Sequence, residues 1–233
     1  MTAPGGVASI AGTDDLLSRP IVLVVALAIV SLLPLAFMTV TAFVKIATVL
    51  QIVRSAIGAQ GVPSSTVIMA LAAALTLVAM APVGDKIAAR AGPLLAAKEA
   101  DTVTWVRGGI DAVREPIREF LRANASETER QRFFDVARRA RHEPAGQAGE
   151  LGADDLTVLL PAFVVTELGQ AFALGFLIYL PFLVIDLVVS NLLLALGMQM
   201  MSPTQVSLPF KLLLFVAVDG WGLLARSLVE GYR

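Results

Sequence analysis

The charged residues of this chain are spaced so that long apolar stretches lie between them. Twenty-five uncharged residues separate Arg19 from Lys45, and thirty separate Arg54 from Asp85. Beyond Asp155 the uncharged gaps run to 11 residues before Glu167, 18 before Asp186, 24 before Lys211 and 7 before Asp219. A helix that crosses a bilayer core needs about 20 mostly apolar residues, so both ends of the chain are built on that scale. The pattern predicts four hydrophobic helical blocks, at residues 20–53, 64–83, 156–196 and 206–228. Between the first two, Gly58-Ala59-Gln60-Gly61-Val62-Pro63 reads as a turn, with Ser64 or Ser65 as the N-cap of the second block. Ser202-Pro203-Thr204 separates the last two. Connections this short favour two antiparallel helical hairpins. The third block, as one helix, would measure about 60 Å, roughly twice a bilayer core. Pro181 removes a backbone donor inside it, so one bent helix and a second short hairpin both fit.

The middle of the chain differs in kind. Residues 84–155 hold 12 of the 18 basic and 13 of the 19 acidic residues. Ile110, Val113, Ile117, Phe120 and Leu121 recur at helical spacing, and Pro116, best suited to a first turn, predicts a break before it. Ser126 and Glu129 have the form of a capping box, opening a helix that carries Phe133, Phe134, Val136 and Ala137. Residues 143–154, rich in Gly, Ala and Glu, read as a flexible linker. No strand pattern or internal repeat is evident. The expected organisation is a tail at 1–19, a first hydrophobic hairpin at 20–83, a polar and mainly helical segment at 84–155, and a second hairpin at 156–233. The fold class is an all-α membrane protein.

Composition agrees, with 57% hydrophobic and 16% charged residues and a mean hydropathy of +0.78. Soluble domains carry about 45–50% and about 25%. A formal net charge of −1 gives no basic surplus for nucleic acid. The absence of cysteine excludes disulfides and thiolate chemistry, and the single His142 has no second histidine to share a metal with. There is no Walker loop, GxGxxG, HExxH or GxSxG. No enzyme, metal or cofactor is therefore expected. Asp14, Asp15 and the lone Arg19 make a poor positive region ahead of an apolar run too long for a signal peptide, so the first block is expected to be retained. The side on which the middle segment lies stays open, because loops of its length escape the positive-inside rule.

Lys45, Glu167 and Asp186 interrupt apolar helices, and Gln51, Gln170, Asn191, Gln199, Gln205, Lys211 and Asp219 add to the polar load. A charge at mid-bilayer costs about 2.5–3.5 kcal/mol on insertion scales, so each needs a partner or water. Glu167, Gln170, Ala171 and Leu174 share a helix face. Gly169 with Ala173, or Ala171 with Gly175, gives the small-residue spacing that lets helices approach closely. Three readings fit the charges: salt bridges within one chain, contacts with neighbouring subunits, or a proton relay. The relay needs a chain of carboxylates that two isolated acids do not make. Contact between subunits through Lys45, Glu167, Asp186 and Lys211 is the favoured reading. Met198, Met200 and Met201 crowd a turn beside Gly197 and Pro203. Such residues often fill gaps in a core, but at a turn, flexible thioethers would close a constriction that must seal and yield.

Several runs then form one pattern. Leu180-Pro181-Phe182-Leu183-Val184-Ile185-Asp186-Leu187, continuing to Asn191, is followed by Gly197-Met198-Gln199-Met200-Met201-Ser202-Pro203 and by Ser207-Leu208-Pro209-Phe210-Lys211-Leu212. Earlier stand Thr41-Ala42-Phe43-Val44-Lys45, Gly58-Ala59-Gln60, Glu115-Pro116-Ile117-Arg118-Glu119-Phe120-Leu121 and Glu167-Leu168. In this order they closely resemble the FliP/SctR family, membrane proteins of the type III export apparatus shared by flagella and injectisomes. The resemblance covers nearly all but residues 1–19 and the linker near 143–154. It implies a homopentamer assembled with small two-helix subunits and one further export-gate subunit, with a larger export-gate protein and a secretion ATPase acting indirectly. Unfolded secreted proteins would pass through the pore. The resemblance also implies an inner-membrane location, a middle segment facing the periplasm, an assembled gate projecting that way, and a methionine gasket at Met198, Met200 and Met201. Gln199 stands where many relatives have methionine. The lack of an obvious cleavable signal favours the injectisome branch over the flagellar one. Two other classes remain: a proton- or ion-coupled small-molecule transporter, against which no inverted repeat is apparent, and a purely structural scaffold.

Overall fold

The computed structural model describes residues 20–59, 61–96, 102–140 and 152–232. The tail at 1–19, Gln60, His142 and the linker at 143–151 lie outside the described residues. Eight helices make up the described chain: α1 (Pro20–Val40), α2 (Phe43–Ile57), α3 (Ser65–Ala96), α4 (Thr102–Asn124), α5 (Glu127–Ala140), α6 (Leu156–Ala195), α7 (Pro203–Ala217) and α8 (Gly220–Glu230). The protein is an all-α membrane protein. By length and composition, Ser65–Pro93 and Leu156–Ala195 are each able to span a bilayer, and the number rises to four if each of two bent pairs is one span.

The chain divides into two compact units, residues up to Met38 and residues from Thr39 onward. The first is most of α1, a helix with exposed apolar residues such as Val24, Leu27 and Leu35 and with Pro34 inside it. In the second unit, α6 is the central strut against which α2, α4, α5 and α7 pack, while α3 packs on α2 and α4, and α8 on α3 and α7.

Local chemistry explains most boundaries. Gly58 ends α2 in the left-handed region at φ +74°, where its N–H reaches the Arg54 carbonyl, a conformation glycine adopts without a Cβ penalty. Ser64 caps α3 by accepting the Val67 N–H at 3.4 Å. Arg54 fastens the turn from below, donating to the Pro63 carbonyl at 2.6 Å and to Ser65 Oγ at 2.7 Å. At the entry to α6, Asp154 gathers three arginines: Arg118 donates to its carbonyl, and Arg122 and Arg130 pair with its carboxylate. An apolar cluster of Val83, Phe120, Leu121, Ala125, Leu159, Ala162 and Phe163, joined by Phe133, ties the polar segment to α3 and α6.

Several expectations need correction. The first block is two helices, with the chain turning at Thr41-Ala42. α3 runs on past Val83 to Ala96 and contains Pro82 and Pro93. Pro116 causes no break, since α4 passes through it unbroken. The third block needs no correction: it is one helix of 40 residues, the first of the two readings that fitted it. The fourth divides at Asp219, which takes φ +50° ahead of α8. α5 begins directly after Ser126 as expected, but the Ser126 N–H donates to Thr166 Oγ1 of α6 at 3.0 Å rather than to the Glu129 side chain. The same hydroxyl donates to the Ala162 carbonyl at 2.7 Å.

Candidate functional site

The third residue of α2 is Lys45, and helical periodicity turns it toward α6. Its Nζ lies 3.0 Å from Glu167 Oε1 and donates to Gln170 Oε1 at 2.8 Å. Glu167 is fully buried and Lys45 nearly so. The other carboxylate oxygen of Glu167 accepts a hydrogen bond from the Tyr232 hydroxyl. The ring of Tyr232 lies under the Lys45 ammonium, 4.3 Å from centroid to Nζ. An ion pair taken out of water is tolerated only when its remaining donors and acceptors are also met, and here Gln170 and Tyr232 meet them.

A second pair ties α7 to α6 and α2. Lys211 Nζ lies 2.6 Å from Asp186 Oδ2 and donates to the Ala56 carbonyl at 3.1 Å. Ser207, one helical turn before Lys211, donates to Asp186 Oδ1 at 2.5 Å. Ala56 stands in the last turn of α2, where carbonyls lack helical partners and the dipole is negative. One lysine therefore neutralises a carboxylate and closes a helix end.

Each of the four charges has its counter-charge in its own chain, so the pairing itself needs no second copy. Of the two small-residue spacings, the structure uses Ala171 and Gly175, both buried on α6. A Cβ on Gly175 would stand 2.5 Å from Ile52 Cδ1, so glycine is what lets α2 lie this close. Leu174 is exposed and does not share that contact.

The methionines lie on the turn between α6 and α7. Gly197 takes φ +74°, the Met198 N–H reaches the Leu193 carbonyl at 2.9 Å and the Gly197 N–H reaches Leu194 at 3.1 Å. This is the Schellman closure of a helix C-terminus. It leaves Met200 wholly exposed and Met198 and Met201 at 42% and 44%, so none of the three fills a core within the chain. Among the described residues no group of three or more His, Asp or Glu could hold a metal ion.

Tyr232 and Ser207 were not singled out from the sequence. Ser207 had a local signal, one turn ahead of Lys211 on the same helix. Tyr232 had only a faint one, a polar aromatic just past an apolar block in a chain with two tyrosines.

Comparison with known proteins covers the same residues. The model of the FliP family matches residues 26–228. Hypersensitivity response secretion protein HrcR of Ralstonia nicotianae is 44% identical over 211 residues, covering 91% of this chain and 96% of that protein. Yop proteins translocation protein R of Yersinia pestis is 44% identical over 212 residues, covering 90% and 95%. Flagellar biosynthetic protein FliP of Rhizobium meliloti is 40% identical over 209 residues, covering 88% of this chain and 81% of that protein.

Proposed function

This chain belongs to the FliP family, and on that premise we propose that it is a pore-forming core subunit of a type III secretion export gate. In this reading it passes unfolded proteins across the bacterial inner membrane and is not itself an enzyme. It works as a homopentamer with small two-helix subunits and one further export-gate subunit, while a larger gate protein and an ATPase act on it indirectly. The polar segment around α4 and α5 faces the periplasm, and the assembled gate projects that way. The observation that carries this reading is the match across residues 26–228, which takes in both buried pairs and the methionine turn. In this reading the machine is an injectisome rather than a flagellum.

Within that role, Met198, Met200 and Met201 form the gasket. Their thioethers are exposed on a turn, flexible enough to close on one another across a pore and to part for varied passengers. Gln199 makes the seal less purely apolar. Lys45, Glu167, Asp186 and Lys211 serve assembly by fixing α2, α6 and α7 as one frame, so that the outer faces of each copy match the next.

Replacing Met198, Met200 and Met201 together by alanine should raise ion conductance of the assembled gate while leaving its subunits together on native gels. Unchanged conductance with a gate locked open would overturn the gasket. Normal export from a strain lacking this chain would overturn the function.

A further inference from the structure

Tyr232 touches both members of a buried ion pair without belonging to either helix that carries them. It stands two residues beyond α8. Its hydroxyl donates to Glu167 Oε2, with the Ala42 carbonyl 3.3 Å away as a second acceptor. Its ring faces Lys45 Nζ at 4.3 Å and stacks on Phe120 of α4 at 5.9 Å between centroids. Phe120 in turn meets Phe163 of α6 edge-on at 5.5 Å. One side chain thus joins the start of α2, the polar helix α4 and the core of α6.

The chemistry is all-or-none. Glu167 is 0% exposed with Tyr232 in place, so while α8 is seated, water cannot replace a missing donor. Lys45 serves one carboxylate oxygen and Tyr232 the other. With Tyr232 withdrawn, Oε2 loses this donor and the ammonium loses the ring beneath it. Tyr232 is carried by α8, which seats Leu224 and Leu228 in the body of the protein and packs on α3 and α7.

We propose that Tyr232 is a latch: the segment beyond α8 closes over the Lys45–Glu167 pair, so that seating α8 and completing the α2–α6 pair are a single cooperative event. The chain has a closed state, in which the pair is fully satisfied, and an open state, in which α8 is lifted and Glu167 is short of a donor. The latch is a property of the single chain and stands apart from the export reading, so a failed export assay would leave it untouched.

The absence of cysteine permits a clean test on the full chain in detergent. A single cysteine at Leu228, 4% exposed on α8, reports opening by its rate of thiol labelling, and one at Val53, 0% exposed on α2, reports global unfolding. Tyr232→Phe keeps the ring and removes only the hydroxyl. It should speed labelling at 228 by about 10- to 100-fold, the weight of a hydrogen bond to a charged group, and by a similar factor at 53, because global unfolding breaks the same bond. In the unsubstituted chain labelling at 228 should already be the faster of the two, since lifting α8 exposes less than unfolding does. In a Lys45→Met, Glu167→Leu background the same substitution should have less than about a threefold effect, since no carboxylate is left to satisfy. If that background does not accumulate, Glu167→Gln should cut the effect to below about fivefold. An unchanged rate at 228, equal labelling rates at 228 and 53 with Tyr232 in place, or the same factor with and without the carboxylate would each overturn the latch.

Discussion

Replacing Lys211 by methionine keeps an unbranched stem and deletes the ammonium. Asp186 Oδ2 loses its partner at 2.6 Å and the Ala56 carbonyl at the end of α2 loses its donor at 3.1 Å. Ser207 remains on the other carboxylate oxygen. Breaking a buried pair by removing one member costs about 3–5 kcal/mol, because the surviving charge is left uncompensated. The Asp186 side chain is 26% exposed, so water softens that penalty and the cost of Lys211→Met should fall at the lower end, about 3 kcal/mol. The other pair has no such relief, with side-chain exposures of 7% and 0%. Lys45→Met should therefore cost more, about 5 kcal/mol. Adding Asp186→Leu to Lys211→Met removes the stranded charge. What remains is about 1 kcal/mol from the carbonyl and hydroxyl left behind, so the double substitution should cost about 2 kcal/mol less than Lys211→Met alone. Denaturant unfolding of the purified chain in mild detergent, followed by circular dichroism, gives all four corners of the cycle. Additive single effects, or Lys211→Met costing more than Lys45→Met, would refute the reasoning.

Two further outcomes rest on other contacts. Gly175→Ala places a Cβ 2.5 Å from Ile52 Cδ1 and 3.1 Å from Ile52 Cβ, an atom that cannot swing away. It should cost about 1–3 kcal/mol by overpacking, and Ile52→Ala in the same chain should recover most of that loss in the same unfolding assay. In the polar segment, Glu119 accepts from Lys86 at 2.9 Å and from Arg90 at 3.2 Å. The Lys86 hydrogen bond and charge, then Arg90, hold its carboxyl below the ordinary value of 4.5. A depressed folded value means that the stabilisation is present above the unfolded value and is lost as pH falls through the folded one. Wild type should thus exceed Glu119→Gln in stability at neutral pH. The difference should close once the pH drops below 4.5 and through the lowered value, and a gap that persists at lower pH would refute the assignment.

Local chemistry was the part of the fold most legible in the sequence. The glycine turn at 58, the serine cap before α3, the helix opening after Ser126 and the four apolar blocks all arise from neighbours within a few residues. Pro116 shows where such reading stops. Proline weakens a helix by one hydrogen bond and a clash, but α4 buries Ala112, Phe120 and Leu121 on one side, and that packing outweighs the local preference. The site divides in the same way. The charges that had to matter were visible as breaks in apolar runs. Which charge meets which is a matter of three-dimensional path, since Lys45 and Glu167 are 122 residues apart and Tyr232 a further 65. Ala171 with Gly175 and Gly169 with Ala173 satisfy the same spacing rule, and only the position of α2 chooses between them.

Where the charges sit decides what kind of contact the proposed oligomer can make. Helices in lipid gain little from burying apolar surface against one another, because lipid is as apolar as they are. Specificity must come from close approach and from polar groups. Here both are used inside the protomer: Gly175 admits Ile52, and two ion pairs join α6 to α2 and to α7. The outer face of α6 is left with Phe172, Phe176, Leu177, Leu187 and Leu192, each more than half exposed. Contacts made by that face in the proposed oligomer would be fixed by shape rather than by charge. Shape is reproducible only if each copy is internally stiff, which is what a buried, fully satisfied pair supplies. The methionine turn is the counterpart, held at its root by the Gly197 closure and free at its tip. A rigid frame with one soft, exposed turn is the division of labour that a gate needs if it must stay assembled while a passenger forces its centre apart.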